Sequence, residues 1–363
     1  MYRHSQDMRE TRDLDHNEKK NAAKRRHPAL VIILDVLLAG VILVTFSFFH
    51  HVLPYLQAHA PSAVPTATMP PQTAAPTLSP TVPPTPPPTP EVPEESAEPD
   101  TRTPWQKQFE GVFSDGVIRT ENSYSSPNVS ISLETVTLGE GRDQIVYHVA
   151  DIYVASLENF CTYTANNSLQ YYASQDAMEM DEASGALIAI SGDFFSYQQG
   201  GFLIRNGETY SAKRTSYDIC VMFYDGSMEM YMGGNYDVDE LLERGVYQAW
   251  TFGPSLLDET GQPYSSYKVS TAVGFPNPRS AIGYYAPGHY CFVVVDGRQD
   301  GYSKGMTIPE LAQLFSDLGC TSAYNLDGGG SALMTFDHAR YSRQSNGANR
   351  QLGDIILIRE VEP

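Results

Sequence analysis

Thr321-Ser322-Ala323-Tyr324-Asn325-Leu326-Asp327-Gly328-Gly329-Gly330-Ser331 is the stretch on which the reading of this chain turns. The β-prone residues up to Tyr324 predict a buried strand, after which the chain bends through three glycines. Residues without Cβ reach positive φ at no steric cost and let backbone N–H groups converge on one point, an anion-binding nest. Asp327 puts a carboxylate beside that point. A lone Asp-Gly reads as a hairpin turn. A triple glycine costs more backbone entropy than a hairpin needs, and this one points to a substrate with a phosphate joined to a second group.

Working outward, residues 307–318 predict a helix. Thr307 caps it, Glu310 completes a capping box, Leu311, Leu314, Phe315 and Leu318 form one apolar face, and Gly319 stops it. Before it, residues 290–295 read as a buried strand ending in Asp296-Gly297-Arg298. Strand, helix, strand predicts a crossover that brings Asp296 and Asp327 to one sheet edge. Asn277-Pro278-Arg279-Ser280 presents Arg279 at a rigid strand entrance, where its planar fork suits a two-point grip on phosphate. A strand at 186–191 runs into Gly192-Asp193-Phe194-Phe195, a carboxylate facing a cleft between a glycine and two aromatics.

The other elements read as scaffold. Residues 145–154 predict a central strand in which His148 and Asp151 are satisfied structural polar groups. Residues 219–224 and 227–232 flank Asp225-Gly226 as a hairpin, 237–244 form a short helix, and 248–257 are strand-like up to the break at Gly253-Pro254. Arg350, a turn at Gly353-Asp354 and a strand at 355–358 close the chain.

Composition divides the 363 residues unevenly. Residues 1–28 form a basic tail with Lys19, Lys20, Lys24, Arg25 and Arg26, predicted to stay in the cytoplasm. Residues 29–49 are apolar apart from Asp35 and long enough to span a bilayer as a helix, read as an uncleaved signal anchor. Ala58-His59-Ala60 keeps a cleaved signal peptide open as the alternative. Residues 50–104 form an extracellular stalk: 15 prolines fall within residues 61–104, a polyproline-rich spacer reaching on the order of 100 Å. Residues 105–363 are long enough for one globular domain with its own core.

The formal net charge is −19, which argues against nucleic acid, since phosphate-backbone binding needs clustered Lys and Arg. Cys161, Cys220, Cys291 and Cys320 permit two disulfides in three pairings or four buried thiols; neither is decided by spacing. The architecture expected is α+β: a mixed β-sheet core with packed helices, preceded by one N-terminal transmembrane helix and a proline-rich stalk. Oligomeric state is not legible.

Taken in order, Gly192-Asp193-Phe194-Phe195, Gly253-Pro254-Ser255-Leu256, Asn277-Pro278-Arg279-Ser280-Ala281-Ile282-Gly283, Val295-Asp296-Gly297-Arg298, Asn325-Leu326-Asp327-Gly328-Gly329-Gly330-Ser331 and a late Arg350 resemble the phosphodiester glycosidase family over about residues 140–360. Ser191 departs from the Asn expected before that Gly192. The resemblance implies a hydrolase that removes the sugar from a sugar-1-phosphodiester of the N-acetylglucosamine type and leaves a phosphomonoester on the other partner. Breaking that bond passes through an oxocarbenium-like state that carboxylates serve. Asp327 is assigned as the main catalytic carboxylate, with Asp296 as orienter or second carboxylate and Asp193 as a further candidate. Arg279 is assigned as the phosphate clamp. Arg298, Asn325, Gly328, Gly329, Gly330, Ser331 and Arg350 complete the substrate-binding set.

No cofactor is required by the sequence. Calcium bound by Asp193, Asp296 and Asp327 stays open, and with it a metal-dependent phosphodiesterase cleaving P–O; these motifs contain no histidine. A non-catalytic module binding cell-wall glycans is the other alternative. The expected partners are a carbohydrate phosphodiester and, through residues 29–49, the membrane. The predicted setting is the cell surface, acting on exopolysaccharide or wall polymers.

Overall fold

The computed structural model describes residues 100–361 apart from 169, 198–200 and 346–349, all within the compact unit Glu95–Pro363. The predicted tail, membrane span and most of the stalk lie outside the described residues. Among the described residues no helix is long and apolar enough to cross a membrane.

The sequence is rich in β-branched and aromatic runs, and it folds as three main sheets with few helices. The largest has seven strands, among them Val129–Leu138, Ile145–Val154, His289–Val295, Arg279–Ala286 and Ser322–Asn325, in that spatial order. The pairs between named strands are antiparallel. His289–Val295 and Ser322–Asn325 both pair with Arg279–Ala286, so they run parallel to each other with that strand between them. The expected crossover is therefore present in a sheet-rich fold with few helices, and one antiparallel strand lies between its two parallel strands.

Alternation sorts this sheet's side chains into two cores. One face, with Ile131, Ala150, Ile152, Ile282, Phe292, Val294 and Tyr324, packs against Ile188, Ile190, Met334 and Ile356 of a second sheet and Cys220, Met222 and Trp250 of a third. The other, with Tyr147, Ala281, Val293 and Val295, is covered by Ile308, Leu311, Ala312 and Phe315 of the helix Ile308–Asp317. Burying each of the Val, Leu, Ile, Phe and Met side chains among these is worth roughly 1.5–3 kcal/mol. The Thr307 side chain accepts from the Glu310 amide, the Glu310 carboxylate accepts from the Thr307 amide, and Gly319 turns the chain at φ 80°.

The second sheet orders Met334–Phe336, Ala186–Ser191, Asp354–Arg359 and Phe160–Thr164 side by side. The third contains Phe202–Arg205, Ile219–Phe223 and Val246–Thr251. Ala186–Ser191 and Asp354–Arg359 pair antiparallel with Ser191 opposite Ile355. The carboxyl end of one strand thus meets the amino end of the other, where the glycine-rich turn crosses from the first sheet.

Candidate active site

Gly192 is the hub of that crossing. Its amide donates to the Asp354 carbonyl at 3.2 Å, and its carbonyl accepts the Asp327 amide at 3.0 Å. The Ser191 hydroxyl donates to the Asp327 carbonyl at 3.0 Å. A Cβ on residue 192 would overlap the Asp354 carboxylate, so only glycine lets these two acids approach the same backbone. The result is a narrow cleft lined by Asp193, Phe194, Asp327, Ser331, Arg350 and Asp354 among others.

The glycine turn itself is held by close approach. A Cβ on Gly328 would come 2.6 Å from the Pro278 carbonyl, and Gly329 has φ 60°. The Gly329 amide donates to Pro278 O at 2.9 Å and the Ser331 amide to Gly328 O at 3.0 Å, so these two amides serve the turn. Gly330 and Ser331 are buried. Asn325 is also buried, and its Nδ2 donates to Gly253 O at 2.7 Å.

The three assigned acids end in different surroundings. The Asp327 carboxyl is partly exposed at the cleft, and burial pushes its pKa up to about 6; Ser331 and Arg350 pull the other way, and Asp193 adds to the rise. Asp193 is buried. Its Oδ1 accepts the Phe195 amide at 3.0 Å, its Oδ2 accepts the Thr251 amide at 2.9 Å, and Arg205 lies 2.9 Å away. It fastens the second sheet to the third. Asp296 is buried at the edge shared with Asp327, but its Oδ2 meets His148 Nε2 at 3.0 Å and accepts from Tyr302 at 2.8 Å, while Oδ1 accepts the Arg343 amide at 2.9 Å. His148, read as a satisfied structural group, also contacts Thr135 Oγ1 at 2.9 Å.

Arg279 is placed away from this cleft. It is 4% exposed, and its guanidinium donates to the carbonyls of Met306, Val273 and Phe275 at 2.7–2.9 Å. Strand alternation explains the difference: Arg279 lies on the face of Ala281, beneath the helix, whereas Ser280 faces the other core and donates to Ser191 O at 3.1 Å. Arg298 donates from Nε and Nη2 to Asn277 Oδ1 at 3.0 and 2.7 Å and lies against Gly329. Arg350, exposed and lining the cleft, is the arginine that acts on Asp327.

Asp354 and Arg205 join the site without having been singled out from sequence. Arg205 Nη2 lies 2.9 Å from both Asp193 and Asp354, and its Nε donates to Asp354 Oδ2 at 3.0 Å. Burial works against the Arg205 charge, but the two carboxylates more than offset it and hold its pKa up. Burial likewise raises Asp354 to about 8, against the pull of Arg205. Asp354 Oδ1 is buried without a hydrogen-bond partner, so desolvation opposes its ionisation. In the sequence, Gly353-Asp354 looks like any turn; the one available signal was an acid directly preceding an apolar strand. Among the described residues no group of three or more His, Cys, Asp or Glu side chains gathers as a metal site.

Comparison with known proteins agrees with the motif reading. The model of the phosphodiester glycosidase family matches residues 184–359, a span that holds Asp193, Arg205, Asp327, Arg350 and Asp354. The catalytic domain of zebrafish N-acetylglucosamine-1-phosphodiester alpha-N-acetylglucosaminidase, solved auto-inhibited by its pro-peptide, shares the fold at TM-score 0.54 and 19% identity, over 65% of this chain and 85% of that one. The prophage-derived uncharacterised protein YomE of Bacillus subtilis (strain 168) is 30% identical over 162 residues, which are 44% of this chain but only 25% of that protein. The resemblance read from the motifs is thus matched by the phosphodiester glycosidase family model over residues 184–359 and by the fold shared with the zebrafish catalytic domain.

Proposed function

We propose that this chain hydrolyses the glycosidic bond of a sugar-1-phosphodiester, with Asp327 as the carboxylate facing the anomeric carbon. The observation that carries the reading is the pairing, in one small cleft, of a partly exposed aspartate with pKa raised to about 6 and an arginine beside it. Ionised Asp327 stabilises or traps the oxocarbenium-like centre. Arg350 balances charge on the departing phosphate, taking the role first assigned to Arg279. Asp354 keeps its proton and so limits negative charge behind Asp327. Asp193 and Arg205 position the segment 191–195, and Phe194 offers a ring beside the sugar. Asp296 belongs to the His148–Tyr302 cluster and acts on the rim rather than on the bond.

The acidic exported-type composition, the apolar run 29–49 and the proline stalk support a membrane-tethered enzyme acting on cell-surface polysaccharide or wall polymers. The deciding experiment incubates the protein with a model N-acetylglucosamine-1-phosphodiester and follows products by phosphorus and proton NMR, beside an Asp327→Asn variant. Free sugar plus a phosphomonoester, lost in the variant, is expected. Sugar-1-phosphate plus free alcohol would mean P–O cleavage and overturn the assignment. Binding without turnover would favour the glycan-binding module.

A further inference from the structure

Away from the cleft, Cys291 and Cys320 meet across the strand Arg279–Ala286. Their sulfurs are 3.6 Å apart and their side chains are buried, 0% and 3% exposed. Between them lies Gly283, paired with Cys291 on one side and Ala323 on the other. A Cβ there would sit 2.7 Å from each sulfur. The central strand thus lacks a side chain at the one place where the two sulfurs must pass over it. Tyr285 lies beside both thiols. The other two cysteines are separate: Cys161 Sγ donates to the Glu158 carbonyl at 3.2 Å, and Cys220 is packed in the sandwich core.

From this geometry we propose that Cys291 and Cys320 are the site of a disulfide, and that Cys161 and Cys220 remain thiols. A disulfide needs sulfurs about 2.05 Å apart, so the thiols stand roughly 1.5 Å from bonding. The chemistry is thiol–disulfide exchange with a small-molecule or protein disulfide as oxidant. One thiolate attacks the oxidant and forms a mixed disulfide; the second attacks that mixed disulfide and expels the oxidant's other half as a thiol. Two protons and two electrons leave the cysteines, and the oxidant departs as two thiols.

Because both sulfurs are buried, the bond forms before this sheet closes, and the folded dithiol resists oxidation. The closed loop spans 29 residues and contains Asp296, Arg298 and the helix Ile308–Asp317. The staple therefore ties the crossover to the strand that leads into the glycine turn.

The test counts thiols on the full chain in denaturant after refolding in a glutathione redox buffer. Two free thiols, a mass two hydrogens below the reduced chain and a 291–320 cross-linked peptide are expected. Reduction should lower Tm by on the order of 5–10 °C, and Cys291→Ser with Cys320→Ser should abolish that sensitivity. Gly283→Ala, which pushes a methyl between the sulfurs, should lower the cross-link yield. Four thiols after refolding, or a cross-link to Cys161 or Cys220, would overturn the proposal. If the serine variants fail to fold, the wild-type thiol count and peptide map still decide it.

Discussion

At the scale of single residues, solvent access separates Asp327 from Asp193 and Asp296. All three follow strands, but Asp193 and Asp296 are surrounded by donors and nearly unexposed, while Asp327 opens to the cleft. Asp327→Asn should lower kcat about 10²–10⁴-fold with the fold intact, checked by steady-state rates beside circular dichroism. If the ionised form works, kcat/KM should rise with pH through about 6, the value to which burial raises Asp327. A flat profile between pH 5 and 8 would contradict that role. Asp354 makes a different prediction. Its folded pKa, about 8, is raised above the ordinary carboxyl value of about 3.9. The folded state therefore binds its proton more tightly than the unfolded chain, and the stabilisation is complete below about pH 4 and lost as pH climbs toward 8. Urea midpoints should fall over that window, and Asp354→Asn should flatten the slope.

At the scale of elements, the motif Asn277-Pro278-Arg279 and the glycine turn serve each other. Gly328 packs against Pro278 O, the Gly329 amide bonds it, and Arg298 holds Asn277. Gly328→Ala should displace Asp327 and reduce activity more than 10-fold, about the effect of 1.4 kcal/mol at the barrier, seen as lost turnover at near-native Tm. Arg279 was legible as an anchored arginine at a strand start, but sequence does not say which way its side chain faces. Three carbonyls depend on it, so Arg279→Ala should destabilise the domain by about 3 kcal/mol or more, read from denaturant unfolding. A phosphate clamp would instead raise KM with stability unchanged, and that pattern is expected of Arg350→Ala.

At the scale of the whole molecule, the crossover strand, helix, strand brings the ends of His289–Val295 and Ser322–Asn325 to one edge, and the sandwich of two sheets places Ser191 and Asp354 against that edge. The catalytic assignment thus depends on strands far apart in the chain. If residues 29–49 anchor the chain, the full-length protein should sediment with membranes and resist salt extraction, while a chain beginning at residue 100 should be soluble and retain turnover. Recovery of the full chain in the soluble fraction would contradict the anchor.

Local chemistry by itself determined much of this protein. The strands at 145–154 and 186–191, the capped helix before Gly319, the hairpin at Asp225-Gly226 and the special character of Asn325 to Ser331 follow from periodicity, capping and glycine, which act within a few residues. Edge strands such as Gln351–Leu352 carry too short a pattern to be read. Only tertiary structure decided which acids meet. Asp354 joins Asp327 because Gly192 lacks a side chain. Arg279 turns away because the alternating face of its strand lies under a helix. Burial then sets the carboxyl pKa values, and burial comes from segments the sequence places more than a hundred residues apart.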